Sequence, residues 1–353
     1  MTDEKPAGAS KLVWQATGET VRGASHLRSG TPNQDAILQL RESGTTLPLI
    51  LSVSDGHGSD KCFRSDRGSH YAVEIVAQLM REFLRRSEGD VEESKLEVRA
   101  KEFLPDEFIK RWRAAVEADL SVRPFTEEEF KKLEEKDGAG ARKIVEANPP
   151  LAYGATSLTV LLTDSFILYL QLGDGEILTV SDNAEVKLPL APDDRLFANE
   201  TTSLCLETAA QDFRLKVQML STETPALVLL TTDGYANSFT DDQNFFKVGS
   251  DILEMMRADG FDSVGANVKT WLEEATSVGS GDDCTLGIIC RMDALKGQPQ
   301  SKAKAEPQSN ASPPPIAQQT NKLSNETKSG DVSPTANSPA PAKPEISPVG
   351  NKS

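Results

Sequence analysis

Apolar positions along this chain follow two periods. Nearly unbroken apolar runs rich in Val, Ile and Leu lie within residues 47–59, 155–162, 166–172, 226–230 and 285–291, with the length and β-branched content of buried strands. Residues 13–21 and 36–40 are extended segments, and 213–220 alternates as a half-buried strand. Elsewhere the period lengthens. Ala72, Ile75, Val76, Leu79, Met80 and Phe83 recur at i, i+3 and i+4, predicting an amphipathic helix capped by Ser65 or Asp66. A second helix is expected to start near Pro105 with Phe108, Ile109, Trp112, Ala115 and Val116 on its buried face, and two more over 244–257 and 264–276. Residues 155–162 and 166–172 meet across Thr163-Asp164-Ser165 as a tight hairpin. Strands in hairpins with paired helices between them predict an α+β layered fold with antiparallel sheets.

Three stretches lack such a period. Residues 23–34 read as a loop, and 121–150 as a solvated charged face containing the helical run TEEEFKKLEEK. Residues 182–212 are polar, irregular and long enough to be a functional loop. From about Gly297 the chain holds half of its 20 prolines and no aromatic residue, the composition of a disordered tail. The expected organisation is an extension over 1–10, one folded domain over 11–294 and a tail over 295–353.

The net charge is −16, and the tail's lysines slightly outnumber its acids, so the acidic excess lies upstream. Such a surface repels nucleic acid and anionic membranes and suits divalent cations. No signal-peptide pattern opens the chain, and Cys62, Cys205, Cys284 and Cys290 show no CxxC spacing, which reads as reduced thiols in a cytoplasmic protein.

The candidate chemistry sits where the apolar runs break. Asp55-Gly56-His57-Gly58 ends one, Asp174-Gly175 follows another, Asp233-Gly234 a third, and Asp282-Asp283 precedes the last, while Asp35 stands where a strand begins. Acids at the ends of strands spread over most of the chain predict one site assembled at a rim. Two carboxylates ~4 Å apart repel by ~4 kcal/mol at an effective dielectric near 20, so the cluster needs a cation. No Lys or Arg cluster matches it, and carboxylate oxygen without Cys or paired His favours Mg²⁺ or Mn²⁺ over zinc. Gly56 leaves its carbonyl free to approach a metal. Two such ions can bridge one water, lower its pKa and stabilise a phosphoryl group in transfer. His57, beside that turn, is placed to protonate a departing serine or threonine oxygen.

Taken in order, Asn33-Gln34-Asp35, DGHG, GATSLTVLL, LGDGE, TTDGY and GDDCTL resemble the type-2C metal-dependent protein phosphatase (PPM) family over roughly residues 14–292. That resemblance implies a four-layer α-β-β-α sandwich, two antiparallel sheets flanked by helices. It implies hydrolysis of phosphoserine and phosphothreonine in proteins, and so a phosphorylated protein substrate and a cognate Ser/Thr kinase system. By it, Asp55 with the Gly56 carbonyl, Asp233 and Asp282 hold two core Mn²⁺ or Mg²⁺ ions, Asp35 acts at or just outside that shell, and Asp174 holds a weaker third ion. Gln34 replaces the glutamate of eukaryotic members, and their phosphate-binding arginine falls on Gly30, leaving Arg22, Arg28 or His26 to contact substrate phosphate. The segment SHLRSGTPNQDA is similar to bacterial members, in which residues matching 182–212 form a mobile flap. Gln34 and the missing arginine set the alternative, a pseudophosphatase that binds phosphoproteins or a kinase without turnover.

Overall fold

The computed structural model describes residues 12–41, 47–192 and 202–296. The expected extension over 1–10, nearly all of the expected tail, and part of the expected flap lie outside the described residues.

In chain order, β1 (Trp14–Val21), α1 (Ala24–Ser29), β2 (Ala36–Arg41) and β3 (Leu49–Ser54) lead into α2 (Ser65–Arg86), α3 (Glu93–Val122), α4 (Glu127–Asp137) and α5 (Ala141–Ala147). The strands β4 (Ser157–Leu162), β5 (Phe166–Leu172), β6 (Glu176–Val180) and β7 (Val186–Lys187) follow. Then come α6 (Ala209–Asp212), β8 (Arg214–Met219), β9 (Leu227–Thr231), α7 (Asp233–Ala236), α8 (Asp242–Asp259), α9 (Phe261–Val278) and β10 (Cys284–Arg291). One five-stranded sheet runs β1-β10-β9-β6-β7 and the other β2-β3-β4-β5-β8, every pairing antiparallel.

Alternation along the strands builds three apolar layers. Leu49, Leu51 and Val53 of β3, Val160 of β4, Val228 and Leu230 of β9 and Ile289 of β10 pack between the sheets around Trp14 and Tyr169. Ile50, Leu161, Leu168 and Leu170 point the other way and meet α2 and α3. Leu229, Leu286 and Ile288 meet α8 and α9 on the opposite face. The result is the expected four-layer sandwich. Among the described residues no helix is long and apolar enough to cross a membrane.

Three local expectations need correction. The second helix does not start near Pro105: α3 begins at Glu93 and carries the proline inside it. An interior proline costs about 3 kcal/mol. Leu96, Ala100, Leu104, Phe108, Trp112 and Val116 form a buried seam at four-residue spacing through that point, and each large side chain contributes about 1.5–3 kcal/mol, so packing wins. The N-cap position of α2 is Arg64, not Ser65 or Asp66. Residues 24–29, read as loop, form the short helix α1, closed by Gly30 in the left-handed conformation at φ 79°.

Candidate active site

Antiparallel pairing alternately ends and begins strands at each rim, so residues just after one strand and just before its neighbour meet. Cα registers put Val21 opposite Cys284, Leu286 opposite Thr231, Glu176 opposite Thr231, and Ala36 opposite Ser54. Asp35, Asp55, Asp174, Asp233 and Asp282 thus emerge at one end of the sandwich, as the sequence pattern anticipates.

The turn after β3 is sewn to its neighbours. The Asp55 amide donates to Thr156 Oγ1 (2.9 Å) and the Thr156 amide to the Asp55 carbonyl (2.8 Å). The Gly56 amide donates to the Gln34 carbonyl (3.1 Å) and the His57 amide to the Gly154 carbonyl (3.0 Å). A Cβ on Gly56 would stand 2.6 Å from both the Gln34 and Ser65 carbonyl oxygens, so only glycine fits. The run Gly154-Ala155-Thr156 therefore fastens this turn.

Asp35 lies deepest, almost fully buried, with Oδ2 accepting from Thr232 Oγ1 (2.8 Å) and Thr285 Oγ1 (2.6 Å). Its Oδ1 is buried without a hydrogen-bond partner among the described residues. Burial, opposed by those two threonines and aided by the charges of Asp283 and Asp233, pushes its pKa up to about 8. Burial likewise drives Asp55 well above the carboxylate range, with Asp35 and Asp233 adding repulsion, and it raises Asp233. Asp55 and Asp233 act on one another directly, and both carboxyls are raised. Asn237 Nδ2 donates to Asp233 Oδ2 (3.0 Å). Asp282 sits at the lip, its side chain 55% exposed. Asp174 faces His57 and Asp233 closely enough for its charge to act on both.

His57 is half-buried, and its Nε2 is buried with no hydrogen-bond partner among the described residues. Desolvation lowers its pKa against the pull of Asp174. His26 is turned onto the acids rather than outward, with Nδ1 2.9 Å from Asp283 and Nε2 3.7 Å from Asp282. Ligand atoms of these three residues lie within 4.8 Å of one another, the one compact metal-competent group of this kind among the described residues. Arg28 is exposed, and Arg22 caps α1 through the His26 carbonyl (2.9 Å).

Sequence reasoning passed over the supports. Thr232 and Thr285 hold Asp35. Buried Asp283 accepts from the backbone amides of Gly23 and Gln34 (2.6 Å each), fixing the entry to β2. Their signal was proximity, since each lies within three residues of a candidate acid in TTDGY or GDDCTL.

Asp35, Asp55, Asp174 and Asp233 form no ion pair with Lys or Arg among the described residues. Hard oxygen donors unanswered from within fit a divalent cation better than any protein group.

The family model described as protein phosphatase 2C matches residues 22–275. Among solved structures, the chain is similar to the catalytic domain of serine/threonine protein phosphatase PstP in complex with two manganese ions, at 16% identity and TM-score 0.47, covering 79% of this chain and 98% of that one. It is also similar to serine/threonine phosphatase Stp1 from Staphylococcus aureus, at 14% identity and TM-score 0.49, covering 81% and 98%. A third is PppA, a key regulatory component of T6SS in Pseudomonas aeruginosa, at 14% identity and TM-score 0.48, covering 79% and 97%. No curated protein matches.

Proposed function

This chain belongs to the protein phosphatase 2C family of Mn²⁺/Mg²⁺-dependent protein serine/threonine phosphatases, and from that premise we propose how its own residues serve the hydrolysis of phosphoserine and phosphothreonine in proteins. The observation that carries the proposal is the convergence of buried and half-buried, repelling carboxylates on one rim with no Lys or Arg paired to them among the described residues.

Asp55 with the Gly56 carbonyl, Asp233 and Asp282 would hold two core ions, and Asp174 a weaker third. When bound, the ions supply a water of lowered pKa and positive charge facing the phosphoryl oxygens. Asp35 stands behind that layer, and its hydroxyl donors Thr232 and Thr285 tie β9 to β10 so that Asp233 and Asp282 keep their spacing. Asn237 fixes Oδ2 of Asp233.

His57 handles the leaving group. Desolvation lowers its pKa, and a phosphate dianion arriving beside it, together with Asp174, draws that pKa back up. The proton taken up at its free nitrogen then passes to the departing seryl or threonyl oxygen. His26 contacts Asp282 and Asp283, so its role is to steady Asp282, and Arg28 remains free to meet substrate phosphate from the rim.

Gln34, which set the binding-only alternative in play, has its amide engaged by Ser65 Oγ (2.5 Å) and the His57 carbonyl (3.4 Å), a positioning role that needs no charge. No described feature favours that alternative. The test is release of phosphate from phosphoserine and phosphothreonine peptides with Mn²⁺ and with chelator. Metal-dependent turnover supports the reading, and its absence in properly folded protein contradicts it.

A further inference from the structure

We propose that the groove between the Asp55–Gly58 turn and α4 holds the substrate segment flanking the phosphorylated residue, and that Lys132 and Lys136 select an anionic side chain there. The inference rests on the phosphatase reading and names the kind of substrate that site takes.

The groove encloses about 460 Å³, inside the ~300–1,000 Å³ span of ligand pockets. It starts at the site itself, with His26, Gln34 and Gly58 in its wall, runs over Phe63, and ends against Lys132 and Lys136. A chain whose phosphorylated side chain reaches the acidic rim has this channel beside it. The far wall comes from the stretch that reads in sequence as a solvated charge run.

That wall is built and rigid. Thr126 and Glu129 form a capping box at the start of α4. Arg64, two residues after the single 3₁₀ turn Asp60–Cys62 that follows Gly58, donates to both carboxylate oxygens of Glu129 (2.7 and 2.9 Å) and to the carbonyls of Arg123 and Pro124. Phe130 and Leu133 are buried below. Lys61 pairs with Asp137 (2.5 Å) and Lys136 with Asp60 (2.6 Å), crossed links between the turn and the end of α4. Glu129, Lys132, Leu133 and Lys136 fall at i, i+3, i+4 and i+7, so one stripe of the helix faces the groove.

Both lysines keep capacity for a ligand. Each ammonium carries three donors. Lys132 is 69% exposed and spends one on Glu128, and Lys136 is 65% exposed and spends one on Asp60. The acids of the groove are already answered, Glu129 by Arg64 and Asp60 by Lys136. In a chain of net charge −16 this leaves a locally balanced strip with spare donors, where a carboxylate or a second phosphate is accepted and an added cation is not.

The experiment measures kcat/KM, with Mn²⁺ and the full chain, on a neutral phosphoserine peptide carrying one Glu moved along from four residues before to four after the phosphoserine, and on the matching Lys series. A second phosphoserine at the best position separates a phosphate from a carboxylate source. The expected result is a preference for Glu over Lys of about fivefold, the size of one exposed ion pair, at positions on one side only, inverted in Lys132→Glu/Lys136→Glu. Lys132→Glu alone, whose partner Glu128 is exposed, gives a smaller shift in the same ratio and covers a double variant that fails to fold. Equal rates for both series, or a preference that survives both variants, overturns the proposal. A small aryl phosphate run in parallel distinguishes the two failures. If it too is not hydrolysed, the phosphatase reading falls and takes this inference with it.

Discussion

Two regions of this molecule bury carboxylates, and they treat them in opposite ways. Asp119, inside α3, receives hydrogen bonds from Tyr153 (2.6 Å), Tyr71 (2.9 Å), Arg67 (3.0 Å) and Arg123. Burial would raise its pKa, but those partners outweigh it and hold the carboxyl well below the usual range. At the rim, Asp35, Asp55 and Asp233 meet hydroxyls and one another instead of cations, and their pKa values rise. A charge answered from within is a structural strut joining α2, α3 and the segment before β4. A charge left unanswered is a demand for something from outside, which is why the second region reads as a metal site and the first does not.

Substitutions break this comparison unequally. Asp233→Asn takes a ligand from the rim and should lower kcat at least about a thousandfold while abolishing the rise in melting temperature on adding Mn²⁺. Retention of either would remove Asp233 from the site. His57→Ala should cost about a hundredfold on alkyl phosphate esters and far less on aryl phosphates, whose leaving groups need no proton; equal losses in steady-state assays would rule out proton donation. Asp119→Ala should leave Mn²⁺ affinity unchanged but destabilise by about 3–5 kcal/mol in urea unfolding, because Arg64, Arg67 and Arg123 lose a shared partner.

The pH dependence sharpens the contrast. Asp35 ionises near 3.8 when unfolded and at about 8 when folded, so between those values the metal-free folded chain holds the extra proton. Its contribution to stability is therefore fully present below about pH 4 and falls as pH rises toward 8, with Asp55 and Asp233 acting in the same sense. Asp119 has the reverse signature, contributing above its unfolded pKa and losing stability as pH falls through its folded one. Thermal melts of metal-free protein across pH 5–8 should show a decline that Mn²⁺ removes and that Asp35→Asn flattens. The smallest expected effect is that of ending the chain after Lys296, which should leave short-phosphopeptide turnover unchanged if residues 11–294 form the catalytic domain.

Much of this was legible because an acid at the end of a buried strand has one place to go. The runs before Asp55 and Asp233 and after Asp282 are buried strands at the expected positions, and antiparallel pairing brings their ends together. The start of α3 was hidden because a proline reads locally as a boundary, whereas the seam that overrides it depends on what packs against it. The α4 stretch looked like solvated charge because composition does not show that Phe130 and Leu133 go inward or that Arg64 reaches Glu129. The threonines under Asp35 escaped notice because a hydroxyl next to an acid in sequence is common, and only the pairing of β9 with β10 points both at one carboxylate.

The central claim, that the rim carboxylates of the metal-free chain carry protons that divalent cations displace, is tested most directly by calorimetric titration of the metal-free chain with Mn²⁺ at pH 7 in two buffers of different ionisation enthalpy. The account predicts binding of at least two ions per chain with a heat that differs between buffers, reporting release of about one proton or more as the carboxylates ionise. Binding with the same heat in both buffers, or no binding at all, would contradict it.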